Sequence, residues 1–314
     1  LIAAALEDPD VVEIMLNPDR TLWVDRLSSG RMPLGVELSQ DDGERIIRLV
    51  AAHVGAEVHR GRPLLTAELP ETGERFEGIL PPAAPGPAFA LRKRAVSIIG
   101  LDRYVADGIL TTGQAEFLRR AVRERQNILI AGATSSGKTT LANALLAEIA
   151  ATGDRVLVLE DTLELRTRAG VVSMTELVRA TMRLRPDRVI VGEVRGGEAL
   201  DLVKVWGTGH PGGIATIHAG SALGALLRLE QLILEVAVNP PRALIAEAVN
   251  VVIHIAGRGR KRRVESIARV VGFDGTGYRL ADALETPFPE LMPVPLAADA
   301  AAPSSSLDLP GELP

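Results

Sequence analysis

A glycine-rich segment holds the residues of this 314-residue chain that are best suited to chemistry. Residues 132–139 read GATSSGKT and match the pattern GxxxxGK[ST] at every fixed position. An apolar run at residues 127–131 precedes the segment and a helical pattern follows it, so we expect a strand, a tight turn and a helix. Backbone N–H groups in such a turn, together with the helix N-terminus, face phosphate oxygens. The pattern predicts nucleoside triphosphate binding, with Lys138 on the β/γ-phosphates and Thr139 on Mg²⁺. The expected binding residues are Gly132, Ala133, Thr134, Ser135, Ser136, Gly137, Lys138, Thr139 and Thr140.

A carboxylate at the end of a second apolar run favours hydrolysis over binding alone. Residues 188–193 read RVIVGE, so Glu193 would end a buried strand at the carboxyl edge of a sheet. There it would face Mg²⁺ and the attacking water. Glutamate reaches further than the usual aspartate and can hold or polarise water directly. The alternative is a structural carboxylate that merely ends a strand.

Three further groups of polar residues could belong to the same edge. The acidic run at residues 160–164 follows the apolar residues 156–159 and could position a metal ion or a water molecule. Acidic residues are, however, common where a strand ends. His218 follows the strand-like residues 213–217, where it could sense the terminal phosphate or serve as a structural hydrogen-bonding group. Four nearby arginines could read phosphates or pair with acids, namely Arg179, Arg183, Arg185 and Arg188. Because no aromatic residues are interleaved with them, direct nucleic-acid binding is not expected.

Length and patterning predict an α/β protein of two domains. The chain exceeds the usual length of one domain, and 46% hydrophobic residues with only 3% aromatic residues suit an aliphatic core. We expect a small α+β domain over residues 1–100, a linker over 101–113 and a disordered, Ala/Pro/Ser-rich tail over 291–314. Strand and helix patterns alternate over residues 114–290, which is typical of a mainly parallel sheet.

Local signals place several elements within these domains. Ser39 would cap a helix over residues 41–54, and Thr112 would cap a helix over residues 114–124. Apolar runs at 251–255 and 264–271 flank a basic segment and predict an antiparallel hairpin with a basic tip. A solvated turn is the plainer interpretation of that tip.

Charge and composition exclude several classes of protein. The net charge of −5 argues against a protein whose main task is to coat nucleic acid. With no cysteine there is no disulfide, no cysteine-ligated zinc and no thiol nucleophile. No apolar run approaches the ~20 residues that cross a bilayer, so any membrane contact is expected to be peripheral. The chain begins at Leu1, so the sequence leaves the natural N-terminus open.

Taken together, the motifs resemble those of the secretion-system ATPase superfamily of type II, type IV and pilus machines, and most closely the conjugal transfer ATPases of the TrbB kind. Four of its motifs occur in order: the phosphate loop at residues 132–139, an Asp box at 159–164, a Walker B strand at 185–196 and a His box at 208–219. Residues 13–18 resemble an early signature of the family, with Pro18 where glycine is commoner. The resemblance covers roughly residues 10 to 275.

The resemblance implies a RecA-like P-loop NTPase domain preceded by a smaller α+β N-terminal domain. It also implies that nucleotide is held between the two domains and that Arg75 and Arg92 reach the γ-phosphate. Without the family, these two would be ordinary surface arginines. Glu193, Glu164 and His218 would complete the catalytic set, and Thr139, Glu160 and Glu193 would hold Mg²⁺, partly through water. Whether Glu160 or Glu164 lies nearer the metal stays open.

The function implied by the resemblance is that of an ATP-hydrolysing motor. It would act as a homohexamer in the cytoplasm, peripheral to the inner membrane, with inner-membrane components of a type IV secretion or conjugation channel as partners. ATP and Mg²⁺ would be its cofactors. A pilus-assembly, pilus-retraction or type II secretion ATPase is the alternative within the class. A DNA-binding translocase or switch, using the arginines near Arg183 and the basic tip, is the alternative from another class.

Overall fold

The computed structural model describes residues 1–93, 99–159, 166–167, 170–171, 174–181 and 183–285. Two large sheets organise these residues, and a third sheet has only two short strands. The first is built from the N-terminal part of the chain, and the second begins at residue 128.

The N-terminal sheet has six strands, and all of its pairings are antiparallel. The elements of this part are α1 (Ile2–Glu7), β1 (Val11–Leu16), β2 (Thr21–Arg26), β3 (Gly30–Glu37), α2 (Gln40–His53), β4 (Leu64–Glu68), β5 (Arg75–Ile79) and β6 (Ala88–Arg92). The order of the strands across the sheet is β3-β2-β1-β6-β5-β4.

Alternating burial along these strands gives the N-terminal sheet one apolar face. Phe76 and Phe89 stack on that face with ring centroids 5.4 Å apart, and Ile47 of α2 packs in the same core. The predicted cap of α2 is confirmed, because the Ser39 hydroxyl accepts a hydrogen bond from the Asp42 N–H. The opposite face leaves Arg75 and Arg92 exposed on adjacent strands.

The chain then forms two helices before the second sheet. Helix α3 (Leu101–Ala106) lies within the segment predicted as a linker, and its Leu101 and Tyr104 are buried in the core of the second sheet. Helix α4 (Thr112–Arg123) begins earlier than predicted, so its cap is Thr111 and not Thr112. The Gln114 side chain selects Thr111, since each of the two side chains bonds the backbone N–H of the other residue. The domain boundaries themselves remain a prediction.

The rest of the chain first forms β7 (Ile128–Ala131), α5 (Lys138–Ala150), β8 (Val156–Leu159), the two-residue strands β9 (Arg166–Thr167) and β10 (Gly170–Val171), which pair with each other, α6 (Met174–Thr181) and β11 (Arg188–Val191). The remaining elements are α7 (Glu198–Gly207), β12 (Ile214–Ile217), α8 (Ala222–Ile233), α9 (Arg242–Ala248), β13 (Val251–Ala256), a 3₁₀ turn (Gly259–Lys261), β14 (Arg263–Phe273) and β15 (Tyr278–Asp282). The second large sheet has seven strands in the order β15-β14-β13-β7-β12-β11-β8. Strands β8, β11, β12, β7 and β13 are parallel, and β14 and β15 extend the sheet in antiparallel fashion.

The central strands of this sheet are covered on both faces. Every residue of β7, β11 and β12 is buried, because helices α4 and α5 pack on one face and α7, α8 and α9 on the other. This is the environment expected for parallel strands. The carboxyl ends of β7, β11 and β12 therefore meet at one edge, which brings residues 132, 192 and 218 together.

No helix among the described residues is long and apolar enough to cross a membrane. The predicted tail, residues 291–314, lies outside the described residues.

Candidate functional site

The segment after β7 forms a tight loop that ends directly in helix α5. Ser135 and Gly137 have positive φ values of 62° and 98°, and helix α5 begins at Lys138. A side chain at Gly132 would collide with the Ile255 carbonyl oxygen on the neighbouring strand β13. The glycines of the motif are therefore required both by backbone conformation and by the close approach of β13.

Lys138 folds back into this loop. Its Nζ donates to the carbonyl oxygens of Gly132 and Ala133, each at 3.1 Å, and lies 3.3 Å from His218 Nδ1. The residue is only 7% exposed, and burial lowers the pKa of its ammonium group. Glu193 acts in the opposite direction, whereas the charges of Arg92 and Arg195 lower the pKa further.

Glu193 stands where the loop after β11 begins. The Gly192 carbonyl accepts a hydrogen bond from Thr216 Oγ1 on β12 at 2.6 Å, which fixes the backbone next to Glu193. One carboxylate oxygen, Oε1, lies 2.5 Å from His218 Nε2. The other, Oε2, accepts from Arg195 Nε at 2.8 Å and from Nη2 at 2.5 Å.

His218 lies between Lys138 and Glu193. Burial is the main cause that lowers the pKa of its imidazole, and the Lys138 charge adds to the effect while Glu193 opposes it. A neutral ring with its proton on Nε2 fits both neighbours, because Nδ1 can then accept from Lys138 while Nε2 faces the carboxylate. Lysine, histidine and glutamate thus form one continuous line of polar contacts.

The two arginines predicted by resemblance lie on the N-terminal sheet. Arg75 and Arg92 lie directly opposite each other on β5 and β6. The charge of Arg92 is among the causes that lower the pKa of Lys138, so Arg92 lies near enough to act on the phosphate loop. Both side chains are exposed and free to face a ligand.

Of the other predicted site residues, the structure describes the two threonines but not the two glutamates. Thr139 and Thr140 lie in the first turn of α5, as expected of residues that follow the loop lysine. Glu160 and Glu164 lie outside the described residues. Within the described part of the chain, no group of three or more His, Asp or Glu side chains could hold a metal ion.

Of the four arginines considered for phosphate binding, two pair with acids away from the loop. Arg188 is 1% exposed and donates to Asp154 at the amino edge of the sheet, 2.6 Å away. Arg179 donates to Asp201 at 3.1 Å.

Two arginines at the site were not predicted. Arg195 pairs with Glu193 and follows it by two residues, so spacing alone could have indicated it. Arg258, in the tip of the β13–β14 hairpin, donates to the Thr134 carbonyl of the phosphate loop at 3.2 Å. That contact spans 124 residues along the chain, so no local signal could have shown it.

The geometry fits a bound polyphosphate. The hydroxyl oxygen of Ser136 is buried in the loop and has no hydrogen-bond partner among the described residues. Lys138 offers an ammonium group, the start of α5 offers free backbone N–H groups, and Glu193 offers a carboxylate across the cleft. These features define a P-loop nucleotide-binding protein with a carboxylate at the end of a neighbouring strand.

Comparison with known proteins agrees with this class. The family model described as "Type II/IV secretion system protein" matches residues 72–266. A probable conjugal transfer protein TrbB from Sinorhizobium fredii is 46% identical over 290 residues, covering 89% of each chain. The type IV secretion system protein PtlH from Bordetella pertussis is 35% identical, covering 83% of this chain and 91% of that protein.

A solved structure supports the fold alone. The X-ray structure of the Legionella pneumophila ATPase DotB aligns with a TM-score of 0.56 at 17% sequence identity, covering 82% of this chain and 76% of that chain. The chain belongs to the type II/IV secretion system protein family, and within it is similar to conjugal transfer and type IV secretion proteins. The predicted fold class, a RecA-like domain with a mainly parallel sheet behind a smaller α+β domain, is confirmed.

Proposed function

We propose that this chain is an ATP-hydrolysing motor of a type IV secretion or conjugal transfer system, powering pilus biogenesis or substrate transfer. One observation carries the proposal: Lys138, His218 and Glu193 meet at one sheet edge, within 3.3 Å and 2.5 Å of one another. A protein that only stores nucleotide needs the lysine but not the carboxylate. The similarity to conjugal transfer and type IV secretion proteins supports the wider role.

Each residue has a distinct task in this proposal. ATP with Mg²⁺ would supply the phosphoanhydride bond that is cleaved. Lys138 would exchange its loop carbonyl partners for phosphate oxygens, and Thr139 would offer a hydroxyl to the metal. Glu193 would orient water and accept its proton once Arg195 gives up the carboxylate, and His218 would report the presence of the terminal phosphate. Glu160 and Glu164 are proposed to assist at the metal.

Arg75 and Arg92 are proposed to neutralise charge that develops on the terminal phosphate. A guanidinium group suits this task because it stays charged and donates through a planar fork. Their position on the N-terminal sheet would couple hydrolysis to movement of that sheet against the phosphate loop. In a homohexamer, this movement would be the source of force.

The working location in this proposal is the cytoplasmic face of the inner membrane. Inner-membrane components of a secretion or conjugation channel would be the partners, and contact with the membrane would be peripheral. The same geometry would serve a pilus-assembly, pilus-retraction or type II secretion ATPase. The identities to TrbB and PtlH favour the conjugal and type IV branch.

Phosphate release from Mg²⁺–ATP by the purified chain tests the proposed activity. We expect Lys138→Ala to lose both binding and turnover. Glu193→Gln should retain ATP binding but lose turnover by a factor of about 10²–10⁴, since it removes only the proton acceptor. Glu247→Gln, a substitution at an exposed position of α9 outside the proposed site, is the control and should hydrolyse ATP like the wild type. Tight ATP binding without turnover in the wild type would instead indicate a switch or scaffold.

The DNA-binding alternative predicts a different result. Affinity for duplex or single-stranded DNA would fall steeply with salt concentration if several arginines contacted phosphates. The ion pairs of Arg179 and Arg188 with acids occupy two of the arginines that this alternative needs. We therefore expect no specific or strongly salt-dependent DNA binding.

A further inference from the structure

The basic tip of the β13–β14 hairpin, residues 257–263, lies against the phosphate loop. Strand β13 runs parallel to β7 and beside it, so the turn after β13 emerges next to the loop after β7. Arg258 Nη2 donates to the Thr134 carbonyl at 3.2 Å. A Cβ atom built on Gly137 would lie 2.9 Å from Arg262 Nε, so the Arg262 side chain covers the glycine that precedes Lys138.

A tight turn and neighbouring backbone shape the tip. Gly257 has a φ of 79°, and a side chain there would collide with the Lys261 carbonyl oxygen. Gly259 faces the Leu27 carbonyl of the N-terminal sheet. Burial raises the pKa of Tyr104 on α3 to about 12, and the Arg262 charge opposes that rise. The arginines are therefore positioned by packing and not by chance exposure.

The charges at this place are not neutralised by acids. Among the described residues, neither Arg258 nor Arg262 forms an ion pair with a carboxylate, whereas the neighbouring Arg263 pairs with Glu265 at 2.7 Å. Arg262 Nε is buried and has no hydrogen-bond partner in the same described set. A buried N–H without a partner is costly, so a ligand that accepts from it would gain binding energy.

We propose that Arg262, assisted by Arg258, binds the phosphate groups of nucleoside di- and triphosphates held by the phosphate loop of the same chain. The inference rests on the proposed nucleotide-binding function. Both arginines lie in the connection between β13 and β14, beside the loop residues Thr134 and Gly137, where the phosphates common to ADP and ATP are expected. They therefore serve ADP and ATP alike, in contrast to the γ-phosphate role proposed for Arg75 and Arg92.

Equilibrium binding of the fluorescent probes N-methylanthraniloyl-ADP and N-methylanthraniloyl-ATP to the full chain tests this inference. The variants are Arg262→Ala, Arg262→Lys and Arg258→Ala. Arg263→Ala is the matched control, since it removes an arginine of the same tip that already has an acidic partner. Lys138→Ala shows whether binding of the probes depends on the phosphate loop. Circular dichroism and thermal melting check that each variant folds.

We expect Arg262→Ala to raise Kd by about tenfold or more, because a charge-assisted hydrogen bond is lost, and to raise it equally for both probes. The Kd of Arg262→Lys should lie between those of Arg262→Ala and the wild type, since lysine keeps the positive charge but lacks the planar N–H donors of a guanidinium group. Arg258→Ala, which removes an exposed side chain, should weaken both probes to a smaller extent. The dependence of Kd on KCl concentration should become less steep in both alanine variants, and Arg263→Ala should bind like the wild type.

Wild-type affinity in both Arg262→Ala and Arg258→Ala, with binding lost in Lys138→Ala, would overturn the inference and leave the proposed function standing. Weaker binding with an unchanged salt dependence would overturn it as well, because the arginines would then only shape the loop. If Arg262→Ala does not fold, the results for Arg262→Lys and Arg258→Ala decide. Failure of the wild type to bind either probe would instead contradict the proposed function.

Discussion

Lys138, His218 and Glu193 lie in a line, and a single arrangement of protons on His218 suits both of its neighbours. The ammonium donates, the neutral imidazole accepts on Nδ1, and its Nε2 faces the carboxylate. A proton added to His218 would place a second cation 3.3 Å from Lys138. Burial and the Lys138 charge account for the lowered pKa of His218.

This lowered pKa predicts how acidification affects stability. The His218 pKa is lower in the folded chain than the value of about 6.5 expected in the unfolded chain, so only the unfolded state binds the proton between the two values. The free energy of unfolding should therefore fall as the pH drops below about 6.5. Urea melts at a series of pH values measure this.

His218→Gln is the comparison, because it keeps a polar side chain that does not titrate. Its stability should depend less steeply on pH than that of the wild type over the same interval. Identical slopes for the two proteins would show that His218 is not held neutral by Lys138 and burial.

At the scale of secondary structure, one buried arginine ties three parallel strands together at the edge opposite the site. Arg188 begins β11, donates to Asp154 ahead of β8 at 2.6 Å and reaches the Gly212 carbonyl ahead of β12 at 3.4 Å. Asp154 also pairs with Arg125. The register of β11 against its neighbours, and so the position of Glu193 at its other end, depends on this cluster.

Asp154→Asn should destabilise the chain by about 3 kcal/mol, because it leaves the guanidinium of Arg188 buried without a negative partner. Urea unfolding measures the change. Asp107→Asn, which removes the acid of an exposed ion pair with Arg103, should have little effect. Equal stability of Asp154→Asn and the wild type would show that the hydrogen bond to Gly212 suffices to hold the strand.

The sequence predicts the elements that bear strong local signals and misses those defined by distant contacts. Strands β7, β11 and β12 read as short apolar runs because helices cover both of their faces. Strand β15 is half exposed at the edge of the sheet, so its residues YRLAD carry no such run. Two adjacent threonines made the start of α4 ambiguous, and the Gln114 side chain decides between them.

At the site, too, local sequence signals predict some contacts, whereas contacts between distant residues are missed. Lys138, Glu193 and His218 could be predicted to meet because each follows a strand, and parallel strands share a carboxyl edge. The loop contact of the hairpin tip could not be predicted, because it depends on β13 pairing with β7 rather than lying elsewhere in the sheet. Arg188 is of a residue type that often binds phosphate. Only its burial beside Asp154 shows that its role is structural.

At the scale of the whole molecule, the N-terminal sheet approaches the phosphate loop from two directions. Arg92 on β6 acts electrostatically on Lys138, and the turn after β2 contacts the hairpin tip at Gly259. In the proposed motor, a change in charge in the loop on nucleotide binding would move one sheet against the other.

Arg75→Ala and Arg92→Ala should each lower kcat for ATP by about 10³-fold or more, since an arginine on the transferred phosphate is worth that much. Affinity for ADP should stay near the wild-type value, because ADP lacks the phosphate that these arginines are proposed to contact. Arg20→Ala is the control, since Arg20 pairs with Glu37 elsewhere in the same sheet. A loss of ADP affinity equal to the loss of turnover would contradict the assignment to the terminal phosphate.

We propose that the working form of this chain is a motor built as a ring of identical subunits. The most direct measurement is ATP hydrolysis per chain over a wide range of protein concentration, with the mass of the assembly determined at each point. We predict that specific activity rises as hexamers form and that Lys138→Ala and Glu193→Gln abolish it at every concentration. Activity that is independent of concentration in a monomeric chain, or nucleotide binding without turnover in every assembly state, would contradict the account.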